Sequence, residues 1–397
     1  MLLEVMKNLP LELVDEIIGH LPQGDKQSLR NCSLVAKSWI NPSQRRLFNT
    51  VEIDRSNLQS WLDNISSANA ILLGHVRHLW YTEYPKGEIE PAHRALRDYF
   101  PSFRQLNHLT LLFAHVSLRS LRIELFSAFQ HSLSTISLGC SITKHAFVTL
   151  INYFPNLAHL YLYGLDCRKS SGPTPSLSRL LFKSLYITVG PLDTLFLLDE
   201  LSRSGLRFDE VIVASIIPQP TWPEFSRRVI EIFGARAKYL RIHAAERRYS
   251  LSLPATRTLC HNPSTEGKSS LTLSQCRELS EFEAYMVYAD DAELDLISSI
   301  ASTKIKRIII KYSPAFELRV GHTYWKKLDS ILVRLAERPE YKLTLEVEFR
   351  SPYGASDKGQ EPDLTRYLPR FVEKGRMIIF DPDEKVLFYS DETKGGR

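Results

Sequence analysis

Several short motifs in this sequence contain residue types that serve in catalysis or phosphate binding, but none has the spacing that the chemistry requires. Gly267-Lys268-Ser269 matches the end of a phosphate-binding loop, yet Asn262 stands where that loop needs its first glycine. The sequence contains no His-Glu-x-x-His and no Gly-x-Ser-x-Gly, the motifs of zinc peptidases and serine hydrolases. Asp290-Asp291 with Glu293 falls at a predicted helix start, where the helix dipole favours acidic side chains without a catalytic role. We therefore predict that the protein is not an enzyme.

Histidine and cysteine, the usual ligands of transition metals, are scattered along the chain. The pairs His75/His78 and His108/His115 lie near predicted strands, but each lacks a third ligand nearby. The cysteines are Cys32, Cys140, Cys167, Cys260 and Cys276. Their odd number and the lack of a Cys-x-x-Cys pair argue against a disulfide framework and a cysteine zinc site, and favour a reducing compartment. We expect no metal and no cofactor.

The composition is that of an ordinary globular protein. The 397 residues suffice for two or three domains or for one elongated repeat domain, and 44% of them are hydrophobic. A net charge of +5 over this length is too small to indicate a nucleic-acid partner. Glu4 interrupts the apolar start, so we expect no signal peptide, and apolar runs such as 308–310 are too short to span a membrane. These features predict a soluble, intracellular protein with no membrane and no nucleic acid among its partners.

The start of the chain has the apolar periodicity of a short helix. Apolar residues recur at four-residue steps as Leu9, Leu13, Ile17 and Leu21, with Val14 and Ile18 beside them. This spacing predicts one apolar stripe on a helix over about residues 10–20. Pro10 suits the first helical turn, where its missing N–H is no loss.

Two further helices are predicted before residue 50. Asp25 is suited to cap a second helix, which turns inward Leu29, Cys32 and Val35. A third helix is predicted to start at Asn41-Pro42, after Trp39. Three short helices form only a small core, and such a unit often leaves apolar surface for a partner.

Together these residues resemble an F-box. The matching positions are Leu9-Pro10-x-Glu12-Leu13-x-x-x-Ile17-x-x-x-Leu21, then Asp25-x-x-Ser28-Leu29-x-x-Cys32-Ser33-Leu34-Val35-x-Lys37-Ser38-Trp39, and then Leu47-Phe48. The resemblance covers residues 9–50, and Ala36 departs from it where the family often has a second cysteine. The alternative is a generic helical cap on the domain that follows.

The resemblance implies that this segment docks on a Skp-type adaptor protein and, through it, on a cullin. The residues that would contact the adaptor or hold the surface in shape are Leu9, Pro10, Glu12, Leu13, Ile17, Leu29, Leu34, Val35 and Trp39. An F-box acts by packing and needs no cofactor.

The rest of the chain repeats the pattern apolar-x-x-apolar-x-apolar. The triads are Val76/Leu79/Tyr81, Leu106/Leu109/Leu111, Leu133/Ile136/Leu138, Leu157/Leu160/Leu162, Phe182/Leu185/Ile187, Phe208/Val211/Val213, Ala237/Leu240/Ile242, Leu279/Phe282/Ala284 and Ile305/Ile308/Ile310. Most start 24–30 residues after the one before, in the range of leucine-rich repeats, each a short strand with a helical return. The exception is a step of 42 residues from Ala237 to Leu279, which contains a loop over 254–270 and a strand-like stretch over 271–273, and is either an extra repeat or an insertion. Helices are predicted between strands over 118–130, 144–153 and 192–204, and near the C-terminus over 363–374, where Gly375 ends the helix.

These triads look like divergent leucine-rich repeats, because the asparagine or cysteine that usually follows the strand is missing. We predict an α/β fold with a small N-terminal three-helix F-box followed by a curved leucine-rich-repeat-like solenoid with a mostly parallel sheet. The predicted domains are the F-box over 1–50, the repeats over 51–350 and a C-terminal capping segment over 351–397. The alternative is a non-repeating α/β domain with buried parallel strands.

Strand alternation turns the residues between the triad members away from the core. From those positions we take seven residues, the predicted contact set, as candidates for binding a protein substrate: Tyr161, Tyr163, Tyr186, Arg241, Tyr285, Arg307 and Lys311. Tyrosine and arginine are enriched at the centres of protein interfaces. The alternative is that these side chains only keep the sheet soluble.

The combined resemblance implies a substrate-recognition subunit of a Skp-cullin-F-box ubiquitin ligase that binds an unknown protein through its repeats. It also implies that the protein is cytoplasmic or nuclear. The runner-up is a ligase-independent leucine-rich-repeat scaffold, and an enzyme with an unrecognised site is a third possibility.

Overall fold

The structure is a computed structural model that describes residues 9–22, 25–54, 56–64, 70–83, 98–117, 123–163, 166–168, 181–188, 206–214, 222–243, 271–286, 291–312, 322–337, 342–349, 364–380 and 386–389. The chain divides into two compact units. Unit 1 comprises Met1–Arg179 with Gly190–Leu197, and unit 2 comprises Leu180–Val189 with Leu198–Arg397. The predicted boundaries at residues 50 and 350 stay predictions.

Unit 1 begins with three helices: α1 (Leu11–His20), α2 (Lys26–Ser33) and α3 (Lys37–Leu47). Asp25 caps α2 as predicted, because its side chain accepts a hydrogen bond of 3.0 Å from the backbone N–H of Ser28. The predicted start of α3 at Asn41-Pro42 is wrong, since the helix begins four residues earlier and contains Pro42. Pro42 removes a single hydrogen bond from the helix, and the earlier start places Trp39 in the core.

A parallel sheet follows in unit 1. Its strands are β1 (Thr50–Ile53), β2 (His78–Glu83), β3 (His108–Ser117), β4 (Thr135–Thr143) and β5 (His159–Leu162), and each pairs with the next. A short strand β6 (Asp166–Arg168) pairs with the end of β4. The segments between these strands contain α4 (Leu58–Asn64), α5 (Ala70–Leu73), α6 (Lys144–Tyr153) and the 3₁₀ helices Phe100–Ser102 and Ile123–Phe129. Strand β1 lies before the first predicted repeat and was not predicted.

Unit 2 also contains a parallel sheet. Its strands are β7 (Leu181–Thr188), β8 (Arg207–Ala214), β9 (Tyr239–His243), β10 (Glu281–Met286), β11 (Arg307–Tyr312), β12 (Thr344–Phe349) and β13 (Arg376–Phe380). The last strand, β14 (Val386–Tyr389), is antiparallel to β13. The returns contain α7 (Trp222–Phe233), the 3₁₀ helix Gly234–Arg236, α8 (Asp291–Ser298), α9 (His322–Ala336), α10 (Leu364–Tyr367) and α11 (Pro369–Lys374).

The predicted triads form the core of both sheets. Every member of the nine triads is at most 7% exposed, and within each unit consecutive triads lie on neighbouring strands. The last two members of each triad are two residues apart, so both point to the same side of the sheet, where the helical returns cover them. The predicted α/β class with a mostly parallel sheet is confirmed.

The step of 42 residues contains an insertion and not an extra repeat. Strands β9 and β10 pair directly, with Arg241 opposite Glu283, although residues 244–280 lie between them in sequence. The strand-like stretch 271–273 is not a strand; Leu273 is buried without pairing to the sheet. The predicted loop over 254–270 and the predicted helix over 192–204 lie outside the described residues.

Three other predicted helical segments are present, two of them in altered form. Helix α6 has the predicted bounds, whereas the predicted helix over 118–130 is the 3₁₀ helix Ile123–Phe129 in its described part. The predicted helix over 363–374 is broken at Pro369 into α10 and α11. It ends at Gly375 as predicted, where a Cβ would clash with the ring of Phe371. Within the described ranges, every helix is too short or too polar to span a lipid bilayer.

Candidate functional site

The three N-terminal helices expose an unusual amount of apolar surface. Their small core consists of Val14, Ile18, Leu29 and Trp39. Leu13 and Ile17 are exposed one helical turn apart on α1, and we call this pair the apolar head face; the other large exposed apolar side chains are Leu11, Leu34 and Ile40. Leu34 is the most exposed of them, at 84%. Exposed leucine and isoleucine side chains on a small helical unit leave apolar surface that a protein partner can cover.

The predicted adaptor-binding residues fall into two groups in this structure. Pro10, Glu12, Leu13, Ile17 and Leu34 are exposed, whereas Leu29 and Trp39 are buried in the head core. Leu9 and Val35 are half-buried and pack against that core. An ion pair of 2.7 Å between Arg45 and Asp15 joins α3 to α1. The buried members therefore fix the orientation of the exposed ones.

The exposed face of the unit 1 sheet is formed by aromatic, imidazole and hydroxyl side chains. His78 and His108 are opposite each other on β2 and β3, with ring centroids 5.4 Å apart. The ring of Tyr161 stacks on His108 at 6.1 Å. Trp80, on the same face, is 43% exposed. This face presents aromatic surface with few charges.

Tyr163 follows β5, where its backbone lies close to β4. Its backbone N–H donates a hydrogen bond of 2.7 Å to the carbonyl of Leu138. Gly139 fits closely beside it, because a Cβ there would lie 2.7 Å from the side chain of Leu112 and 3.2 Å from the carbonyl oxygen of Tyr163.

His108 lies in surroundings that hold its ring neutral. Burial above all, and then the nearby His78 and His159, lower the pKa of His108 from 6.5 to about 4. Its Nε2 atom lies 3.1 Å from the hydroxyl oxygen of Ser137 and 3.3 Å from that of Thr110. Protonation would therefore place a charge among other imidazoles, at a position partly shielded from water.

This arrangement predicts that acid destabilises unit 1. The folded state binds fewer protons than the unfolded state between pH 6.5 and about 4, so stability falls as the pH drops through that window. After a discount for the partial exposure of the ring, we expect a loss of about 2 kcal/mol. Hydrogen exchange of the backbone amides of β3 and β4, compared at pH 7 and pH 4.5, measures this loss of stability. A His108→Gln variant should lose much of this pH dependence, whereas His131→Gln, at an exposed position, should keep it. Equal pH dependence in the two variants would contradict the prediction.

The exposed face of the unit 2 sheet contains a groove of about 740 Å³, which we call the charged groove. Its lining residues are Asp209, Glu210, Lys238, Tyr239, Arg241, Ser280, Glu281, Glu283, Arg307, Ile309, Lys311 and Glu346. They come from strands β8–β12 and from the residues just before those strands. In each strand they alternate with the buried triad positions, and for this reason their side chains gather on one face.

Glu283 lies at the centre of the charged groove and is 1% exposed. Its Oε2 atom accepts hydrogen bonds from the Tyr239 hydroxyl at 2.5 Å and from Arg241 Nε at 2.7 Å. Its Oε1 atom lies 3.2 Å from Lys311 Nζ. Burial of the phenol and the nearby Glu283 carboxylate raise the pKa of Tyr239, so the hydroxyl stays a donor.

Arg307 forms a second pair on the same face. Its Nε atom donates to Glu346 Oε1 at 2.7 Å and its terminal NH2 group donates to Glu346 Oε2 at 2.6 Å. This two-bond geometry is the strongest form of an arginine–carboxylate pair. A longer contact of 3.4 Å joins Arg307 to Glu281.

The structure brings part of the predicted contact set together. Arg241, Arg307 and Lys311 line the charged groove, and Tyr186 lies half-buried on β7. Tyr285 is opposite Lys311 in the register of β10 and β11, and its side chain lies outside the described residues. Tyr161 and Tyr163 belong to unit 1. Substrate binding by these residues stays a prediction.

The carboxylates that hold these cations are absent from the predicted contact set. Glu283 and Glu346 are the main partners of Arg241, Lys311 and Arg307. The signal was present in the sequence: if the triads are aligned member to member, Arg241 falls opposite Glu283.

Cysteine and metal chemistry receive no support within the described part of the chain. Burial raises the pKa of Cys276 to about 12 and also raises that of Cys32, so both thiols stay protonated. Among the described residues, His, Cys, Asp and Glu nowhere gather in threes in a metal-binding arrangement.

Comparison with known proteins shows a distant likeness to solved structures. No protein-family model matches the sequence, and no curated protein matches it. Among solved structures, the chain is similar to the leucine-rich repeat-containing protein LegL7 from Legionella pneumophila, with 11% identity and a TM-score of 0.40 over 78% of this chain and 92% of that one. A likeness this remote establishes neither fold nor function. The repeat architecture rests instead on the register of the strands and on the buried triads.

Proposed function

We propose that this protein is an adaptor-docked substrate receptor, the recognition subunit of a Skp-cullin-F-box type ubiquitin ligase. The observation that carries the proposal is the apolar head face, because side chains such as Leu13 and Ile17 are exposed beside a core already filled by Val14 and Ile18. Water-exposed leucine and isoleucine on a small helical unit are best accounted for by a protein that covers them.

The sheets supply the second half of the proposal. Both have one side covered by helical returns and one side open, and the open side carries rigid aromatic rings in unit 1 and the charged groove in unit 2. Such side chains are suited to hold a protein segment. The receptor catalyses nothing; it brings its substrate close to the enzyme that transfers ubiquitin.

The adaptor is tested by binding measured with purified Skp-type protein. A Leu13→Ala, Ile17→Ala double variant removes exposed apolar anchors without touching the head core. Truncation of such anchors typically costs about 2–4 kcal/mol, so we expect affinity to fall on the order of 30- to 1,000-fold. Calorimetric titration measures the affinity of the parent and of the double variant for the adaptor.

The matched control is Val14→Ala, which alters the buried side of the same helix. It should reduce the stability of the head, whereas the double variant should leave that stability nearly unchanged. A parent protein that does not bind the adaptor, or a double variant that binds as the parent does, would contradict the proposed ligase role.

A ligase-independent scaffold is the second candidate, because an open sheet face suits any protein partner. Co-purification of the full chain with adaptor and cullin supports the ligase role; a stable partner held by the sheets without adaptor or cullin supports the scaffold.

A further inference from the structure

The described lining of the charged groove in unit 2 has one more acidic than basic side chain. It is lined by five carboxylates, those of Asp209, Glu210, Glu281, Glu283 and Glu346, and by four cations, those of Lys238, Arg241, Arg307 and Lys311. Only a group without an ion-pair partner inside the groove is free to bind a ligand.

All four cations already have carboxylate partners within the sheet. Arg241 and Lys311 share Glu283, at 2.7 and 3.2 Å. Lys238 lies 3.0 Å from Asp209, and Arg307 is held by Glu346 through two hydrogen bonds. An anionic ligand would therefore have to displace carboxylates, one of them buried, to reach a cation.

Glu210 is the exception among the carboxylates. Among the residues that the structure describes, no cation forms an ion pair with Glu210 and no donor forms a hydrogen bond to it. Its side chain is half-buried and lines the groove. Burial raises the pKa of its carboxyl and the nearby Glu283 adds to the rise, while Arg241 opposes them. A half-buried carboxylate in such a position is stabilised by a cation brought from outside.

The neighbours of Glu210 suit that cation. Glu210, Tyr239 and Glu281 are opposite one another on β8, β9 and β10. Because adjacent strands lie about 4.8 Å apart, the phenol of Tyr239 stands between two carboxylates. Carboxylates on both sides of a ring favour an ammonium or guanidinium group by charge, and the ring of Tyr239 already has one such group over it, the Arg241 guanidinium, 5.4 Å from the ring centroid.

We propose that the charged groove binds a lysine or arginine side chain of a protein segment, with Glu210 as the carboxylate that pairs with it and Tyr239 beside it. The inference rests on the proposed receptor role of this sheet. The proposal also gives the bound segment a positive charge, because the arginines and lysines of the groove already hold the carboxylates of the groove in place.

The test uses the full chain and a phage-displayed library of random linear peptides. Peptides that bind the parent protein should be enriched in lysine or arginine at one position. The strongest such peptide is then synthesised with a fluorescent label, and its affinity is measured by anisotropy against the parent and two variants.

Glu210→Gln should weaken binding about tenfold, because it removes one partner of a charge pair. It should leave thermal stability unchanged, since Glu210 has no hydrogen-bond or ion-pair partner in the described part of the chain. Glu373→Gln is the matched control: it removes one carboxylate from an exposed position of α11 in the same unit and should bind the peptide as the parent does.

Three outcomes would overturn the inference: enrichment of acidic peptides, no enrichment of basic residues, or equal binding by Glu210→Gln and the parent. Adaptor is absent from this experiment, so a head that fails to dock leaves the result unaffected. Peptides that bind the groove without a basic residue would overturn the assigned charge and leave the receptor role standing.

Discussion

Replacing Phe126 by alanine should destabilise unit 1 by about 3–5 kcal/mol, the usual cost of removing a buried phenylalanine side chain. Phe126 is completely buried in the return between β3 and β4. Its ring centroid lies 6.0 Å from that of Phe100, 5.6 Å from that of Phe129 and 6.0 Å from that of Phe154. These rings belong to three successive returns, so the alanine leaves a cavity shared by three repeats.

Hydrogen exchange measured on peptides from β3 and β4 tests this result. Protection of the backbone amides should fall steeply in Phe126→Ala. Trp80→Ala removes an even larger ring from an exposed position of unit 1, and protection should change little there. If the two variants lose protection equally, the phenylalanine cluster does not stabilise the repeats as argued.

Replacing Glu283 by glutamine should destabilise unit 2 by about 2–3 kcal/mol. Removal of one partner from a buried ion pair typically costs about 3–5 kcal/mol, because the other charge is left uncompensated. The cost is lower here, since Arg241 and Lys311 retain 33% and 17% of their side-chain exposure and can be partly hydrated.

The control lies two residues away on the same strand. Glu281 has 40% of its side chain exposed, and its contact with Arg307 is 3.4 Å long. Glu281→Gln should therefore cost less than about 1 kcal/mol. Exchange protection of β9–β11 compares the two variants, and an equal effect would show that burial does not set the strength of these pairs.

The parts of the fold that the sequence predicts are those governed by short-range patterns. The triads predicted strands because two-residue alternation leaves one side of each strand apolar, and this side is buried in both sheets. Strand β1 was missed because Thr50–Ile53 has only Val51 and Ile53 as apolar residues, and it is recognisable only by its pairing with β2.

Which side of a helix faces inward could not be predicted from periodicity alone. Leu13 and Ile17 form as regular a stripe as Val14 and Ile18, and only the position of α3 and Trp39 decides that the latter pair is buried. The same holds for the charged groove. Alternation places Arg307 on the open face, but its pairing with Glu346 depends on how β11 and β12 are aligned.

The direct pairing of β9 with β10 also bears on how this chain can change over time. The entropy of closing a loop grows only with the logarithm of its length, so a doubling costs about 0.6 kcal/mol. In this pairing Tyr239 is opposite Glu281 and His243 is opposite Tyr285, and the two strands alone set this register. A change in the number of residues between His243 and Leu273 therefore adds little loop-closure entropy, which gives evolution, or an engineer, a place to alter the length of the chain without shifting the register of the sheet.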